Sequence, residues 1–248
     1  MKNKVIRIIC YIILVCLFVI LIISLKNIIE WFSDNSKTKE IIEKIEKNTN
    51  LIPVEEDKRM MYVDLTDLKK INSDTVGYIK VNNTNIDYPV VKTTNNSFYL
   101  DHSFDKTYNK AGWVFMDYRN NTNYFDTNTI LYAHGRLDNT MFGSLRNVIK
   151  ESWYTNSDNY IIKYSDNSSS SLWQVFSVYK VLETDDYLDI NFNTANDNNQ
   201  FINLIKNRSI YNFNIDVNVN DKIITLSSCY DDKNRVVMHA KLIKFVEK

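Results

Sequence analysis

The hydrophobic pattern divides the chain into three regions. From Ile8 to Leu25 the sequence reads IICYIILVCLFVILIISL, eighteen positions without a charge. As a helix this run is about 27 Å long, close to the ~30 Å thickness of a bilayer hydrocarbon core. Arg7 and Lys26 flank it and can reach the interfaces with their long stems. From residue 27 to about 60 the apolar positions Ile28, Ile29, Trp31, Phe32, Ile41, Ile42 and Ile45 alternate with charges. This spacing predicts helix with a break near Asp34–Asn35, and a spacer that lifts the following domain off a membrane. A short helix over Asp64–Ile71, capped by Asp64 or Thr66, is expected next.

From Val76 the period changes from helical to alternating. VGYIKV, IDYPVVK, GWVFMD, TILYAH, YIIKYS, SLWQVFSVYKVLE, KIITLSS and RVVMHAKLIKFV are rich in β-branched and aromatic residues. Asn, Asp and Ser clusters separate them, which gives about eight strands, the number of a closed barrel or a sandwich. In the last strand Val236, Met238, Ala240 and Leu242 share one face, and Arg235, Val237, His239 and Lys241 the other. Phe201, Ile202, Leu204 and Ile205 are spaced for an amphipathic helix, and Met141–Ile149 suggests another. Ser165–Ser171 reads as a hairpin loop.

Composition narrows the function. Thirty basic and thirty acidic residues cancel, so charge gives no case for a nucleic-acid partner. With only four Gly and two Pro, the turns must rest largely on Asn and Asp. Lys2, Lys4 and Arg7 precede the apolar run, so the positive-inside rule places the N-terminus in the cytoplasm and everything after Lys26 outside. A cleaved signal peptide is the competing reading; against it, the run is long and no A-x-A-like site follows. The expected organisation is a cytoplasmic N-terminus (1–7), a transmembrane anchor (8–25), an extracellular helical stalk (26–61) and a domain over 62–248.

Cys10 and Cys16 lie inside the apolar run and read as bulk apolar residues, which leaves Cys229 as the one cysteine outside it. A nucleophilic cysteine needs a proton shuttle and a donor for the developing oxyanion. The region outside offers His102, His134 and His239. His134 stands at a strand end, as does Cys229. If those strands run side by side in one direction, the two side chains meet at one rim. A hairpin after Cys229 would return Arg235, with its fork of donors, to that rim. His239 points elsewhere and reads as structural. The scattered histidines and single thiol lack metal-ligand spacing.

TLSSC followed by an arginine and an alternating terminal strand resembles the TLxTC signature of sortases, the membrane-anchored cysteine transpeptidases of Gram-positive bacteria. YAHG with TMFGSL behind it is similar to that family's histidine region. VGYIKVNNTNIDYPVVKTTNNSFYLDHSFD, GWVFMDYRN and the insertion at about 185–213 resemble its class B branch. The resemblance spans roughly residues 62–247. It implies a mostly β protein: the sortase eight-stranded barrel with N-terminal helices and a helix-bearing insertion before the cysteine strand, preceded by one transmembrane helix. Cys229 would be the nucleophile, His134 the general acid/base and Arg235 the stabiliser of oxyanion or substrate. Ser227, Tyr132 and Tyr187 match residues near the substrate, and Val91 and Asp87 fall where a wall of the motif groove is expected. Ser228 stands in place of a threonine and Ala133 in place of a glycine, and the YDDKN turn is shorter than in many class B members.

The implied reaction cuts a C-terminal sorting motif, NPxTN-like or (S/P)PxTG-like, after its threonine. A thioacyl-enzyme forms, and an amine of a peptidoglycan precursor or cross-bridge resolves it. No metal or organic cofactor is implied. The expected partners are surface proteins carrying a sorting signal and the peptidoglycan amine. A pilin-polymerising sortase and a catalytically inactive membrane-tethered binding module are the alternatives.

Overall fold

The computed structural model describes residues 2–55 and 57–248. It opens with one helix, α1 (Lys2–Asn48), followed by a two-stranded ladder of β1 (Asn50–Pro53) and β2 (Met61–Asp64), and by α2 (Thr66–Ile71). The barrel strands are β3 (Thr75–Val81), β4 (Asp87–Val91), β5 (Phe115–Met116), β6 (Asn128–Tyr132), β7 (Ile161–Ser165), β8 (Ser169–Leu182), β9 (Ile223–Cys229) and β10 (Asn234–Glu247). A one-turn helix, α3 (Glu151–Tyr154), precedes β7, and α4 (Ala195–Arg208) lies between β8 and β9.

The eight strands close in the order β10-β8-β7-β3-β4-β5-β6-β9. All neighbours are antiparallel except β4 with β5 and β6 with β9. The interior holds Val90, Leu131, Trp173, Leu226, Val236 and Met238. A second cluster lies on the outer wall, where α4 and the surrounding insertion cover Phe176, Tyr179 and Val237 with Phe201, Ile202 and Ile205. Alternation in β10 explains the division: Val236 and Met238 face in, while Val237 and His239 face out beneath the insertion.

Three local expectations differ from the structure. The helix does not break at Asp34–Asn35. Its outer partners keep it intact there, because Asn109 Nδ2 donates to the Asp34 carbonyl (3.3 Å) and Arg136 donates to the Asn35 side chain. Ile41 and Ile45 are buried in the main core, so the second half of α1 forms part of the domain, and Met61 already belongs to a ladder with Pro53. Met141–Ile149 is not an α-helix. Asn139 and Met141 have positive φ, and only a short 3-10 stretch, Gly143–Asn147, forms. That segment folds back on the residues after His134: Phe142 N–H donates to the His134 carbonyl (3.1 Å), and a Cβ on Gly143 would lie 2.1 Å from the Arg136 carbonyl. Finally, the hairpin loop contracts to residues 166–168, where the Asp166 carboxylate takes the N–H groups of Ser168 and Ser169.

Candidate active site

The site is built at the ends of two parallel strands. In β6 and β9, Tyr132 is level with Ser227. Two residues further along each chain come His134 and Cys229, so both arrive at the same height on the same face. The Ser228 hydroxyl donates to the Ala133 carbonyl (2.9 Å) and extends the pairing past the last ladder bond. Gly135 then crosses the Cys229 backbone so closely that a Cβ would lie 1.8 Å from its carbonyl oxygen. Glycine is required there by close approach.

The turn after Cys229 is tight. The Asp231 carboxylate accepts from the N–H groups of Lys233 and Asn234 (3.0 and 2.9 Å), and Tyr230 N–H donates to the Asn234 carbonyl (2.9 Å). β10 thus begins in register with β9, with Arg235 directly opposite Cys229. The short YDDKN turn thus sets Arg235 on the strand position facing Cys229, and both line the same cavity. Across β8, Arg235 forms an ion pair with Glu183 at the mouth of the cleft. Lys180 stacks over the Tyr230 ring at 4.2 Å and supports the turn from the same strand.

His134 Nε2 lies 2.6 Å from the Leu100 carbonyl oxygen. A carbonyl only accepts, so Nε2 carries a proton, and a neutral ring keeps its lone pair on Nδ1. Gly112, at φ 61°, packs so near that a Cβ would be 3.0 Å from His134 Cδ2. The ring is thus held from the 98–112 segment, far from it in sequence.

Cys229, His134, Arg235, Tyr132, Tyr187 and Ser227 all line one open cavity of about 390 Å³ on the outer wall, roofed by the start of the insertion. Tyr187 shares a hydrogen bond with Ser227 (2.9 Å). Burial pushes the Tyr187 hydroxyl above its usual pKa, and the Ser227 bond partly opposes this. Tyr132 donates to Asp117 (3.0 Å), and burial together with that carboxylate raises its hydroxyl strongly. Burial pushes Asp117 up, but hydrogen bonds from Arg119, Asn96 and Tyr132 outweigh it and hold the carboxyl below the usual range. Arg119 also donates to the Leu188 carbonyl (2.9 Å), which ties the tyrosine to the roof.

Two expected groove residues lie elsewhere. Val91 pairs with Phe115 but is completely buried in the core, and Asp87 is exposed and ion-paired with Lys80. Neither lines the cavity. Conversely, Asn96, Leu100, Glu183 and Leu188 line it without a sequence signal. Their role comes from position: Leu100 acts through its backbone, and Glu183 becomes Arg235's neighbour only through the β8–β10 register.

The sortase domain family model matches residues 79–243. The chain belongs to the sortase family. It is 33% identical over 234 residues to sortase B of Staphylococcus aureus (strain NCTC 8325 / PS 47), covering 93% of this chain and 95% of that protein. It is 32% identical over 184 residues to sortase B of Listeria monocytogenes serovar 1/2a, covering 73% and 74%. A solved S. aureus sortase B–substrate complex superposes with a TM-score of 0.67 at 39% identity, over 71% of this chain and 83% of that one. This sortase is thus a cysteine transpeptidase of the sortase B type. Its α1 has a stretch of mean hydropathy 3.4, long and apolar enough to cross a membrane.

Proposed function

We propose that Cys229, His134 and Arg235 carry the transpeptidation, and the observation supporting this is their convergence on one cavity from three strand ends. The Cys229 thiolate attacks the threonine carbonyl of a sorting motif, NPxTN-like or (S/P)PxTG-like. Arg235, released from Glu183, donates to the oxyanion or to a substrate carbonyl. The imidazolium of His134 protonates the leaving amine as the C–N bond breaks, and a thioacyl-enzyme remains. An amine of a peptidoglycan precursor or cross-bridge then attacks the thioester, His134 takes its proton, and the thiolate departs. Only Nδ1 gains and loses the proton, because Nε2–H stays on Leu100.

Ser227, Tyr132 and Tyr187 form the floor and roof against which the motif lies. Val91 and Asp87, outside the cavity, act at most through the strand that supports it. Residues 1–7 lie in the cytoplasm, 8–25 span the membrane, and the domain faces the cell wall, following the basic residues ahead of the span. The acyl donors are surface proteins with a C-terminal sorting signal.

The test is cleavage of a panel of motif peptides by a soluble fragment beginning at residue 27, with candidate amines added. Mass spectrometry should show an acyl adduct on Cys229, and Cys229→Ala should abolish both adduct and product. Wild-type inactivity across the panel without an adduct would sink the assignment.

A further inference from the structure

The contacts along α1 order the two ends of the barrel relative to the apolar stretch. Glu30, four residues past Lys26, pairs with Lys110 at 2.8 Å. Next, Asn35 receives a hydrogen bond from Arg136, two residues after His134, and the Thr38 hydroxyl accepts from Asn109 Nδ2 (3.0 Å). Only further along do Ile41 and Ile45 enter the core. The β1–β2 ladder then reaches the opposite end, where Tyr62 donates to the Glu247 carbonyl (2.8 Å) and Val63 N–H to Ser165 (3.0 Å). The first helix residues beyond the apolar stretch therefore touch the cleft end, and the ladder that follows the helix touches the far end.

The spacing is short on the scale of a bilayer. Helix rise places Glu30 about 6 Å and Asn35 about 14 Å beyond Lys26. A headgroup layer is roughly 5–8 Å thick. With Lys26 at the hydrocarbon edge, Lys110 and its neighbour Tyr108 fall in the headgroup layer, and Arg136 and Leu137 just above it. The side chains suit this depth. Trp31 and Phe32 are exposed on α1, Tyr108 is 57% exposed and Leu137 is 82% exposed. Amphipathic aromatic rings favour the interface, and lysine stems reach from it.

We propose that the domain is seated directly on the bilayer that its own helix spans, with the Lys110 and Tyr108 side chains reaching the headgroup layer and the cleft end of the barrel facing the membrane surface. This rests on α1 being a membrane anchor. The loop that carries Lys110 and Tyr108 is continuous with Leu100 and Gly112, which hold His134.

The test uses the full chain in phosphatidylcholine/phosphatidylglycerol nanodiscs, with Cys10, Cys16 and Cys229 changed to alanine. A single cysteine at Lys26, Tyr108, Leu137 or Phe245 carries an environment-sensitive dye, and a fraction of the lipid carries a nitroxide headgroup. Expected quenching is strongest for Lys26 and Tyr108, intermediate for Leu137, and lowest for Phe245 at the far end of β10. Equal quenching of Tyr108, Leu137 and Phe245 overturns the seating, and an unquenched Lys26 overturns the anchor itself. Should Tyr108→Cys perturb the loop, Leu137 against Phe245 decides alone. Because the readout involves no turnover, its failure leaves the transpeptidase assignment intact.

Discussion

His134 and His239 lie on the same outer wall of the barrel and have opposite fates. His239 is completely buried, with both nitrogens engaged. Tyr179 donates to Nε2 (2.8 Å), and Nδ1–H donates to the Thr225 hydroxyl (2.8 Å), which itself donates to Asn128 (2.6 Å). Asn128 Nδ2 then holds the Asp189 carbonyl (2.9 Å), so the chain of bonds ends at the roof of the cleft. Burial lowers the pKa of His239 to about 3. His134 is partly exposed, has the opposite tautomer, and keeps one nitrogen free of protein partners among the described residues. A histidine with both nitrogens satisfied is a strut, while one with a spare nitrogen facing a cavity can move a proton.

The largest test of this contrast is His134→Gln. It should lower kcat/KM for peptide cleavage by about 10²–10⁴-fold, the usual worth of a general acid/base, with the melting temperature unchanged. His239→Ala should do the reverse. It leaves a buried void and strands the Tyr179 hydroxyl, costing about 3 kcal/mol of unfolding free energy in urea titration, while kcat changes little. If His239→Ala lost activity at full stability, the division of roles would fail.

A subtler test is pH. A neutral buried His239 with a depressed pKa stabilises the fold fully above its unfolded value near 6.5. That contribution is lost as pH falls toward about 3, at roughly 1.4 kcal/mol per pH unit. Urea titrations of wild type and His239→Gln between pH 7 and 4 should therefore converge as the pH falls. Parallel curves would show that the ring is not held neutral. The smallest expected effect is that of Tyr187→Phe, which removes the Ser227 bond at the roof. It should raise KM several-fold, about 1 kcal/mol, with kcat retained, as measured by steady-state cleavage.

Much of this was legible in the sequence because it rests on local order. The period-2 segments gave the eight barrel strands, since alternation directly encodes a wall with an inside and an outside. Cys229, His134 and Arg235 stood out because few residue types can do thiol chemistry and each sat at a strand end. The uncharged run from Ile8 to Leu25 announced a possible span for the same reason, because length and apolarity are properties of the string.

Other features depended on partners remote in sequence. Asp34–Asn35 read as a break because these residues are weak helix formers, but contacts from Asn109 and Arg136, over seventy and a hundred residues away, keep α1 whole. Met141–Ile149 has helical spacing, but its backbone must turn back onto His134 and Arg136. Val91 and Asp87 were expected at a groove wall from family resemblance, and neither lines the cavity, Val91 because it is buried in the core and Asp87 because it pairs with Lys80. The sequence by itself determined which groups are available: a lone thiol beyond the apolar run, three histidines, an arginine and an apolar helix. Tertiary structure alone decided which histidine keeps a free nitrogen, that Glu183 meets Arg235, and that the cleft lies at the end of the barrel where α1 enters. These follow from strand register and burial, which no short stretch of sequence contains.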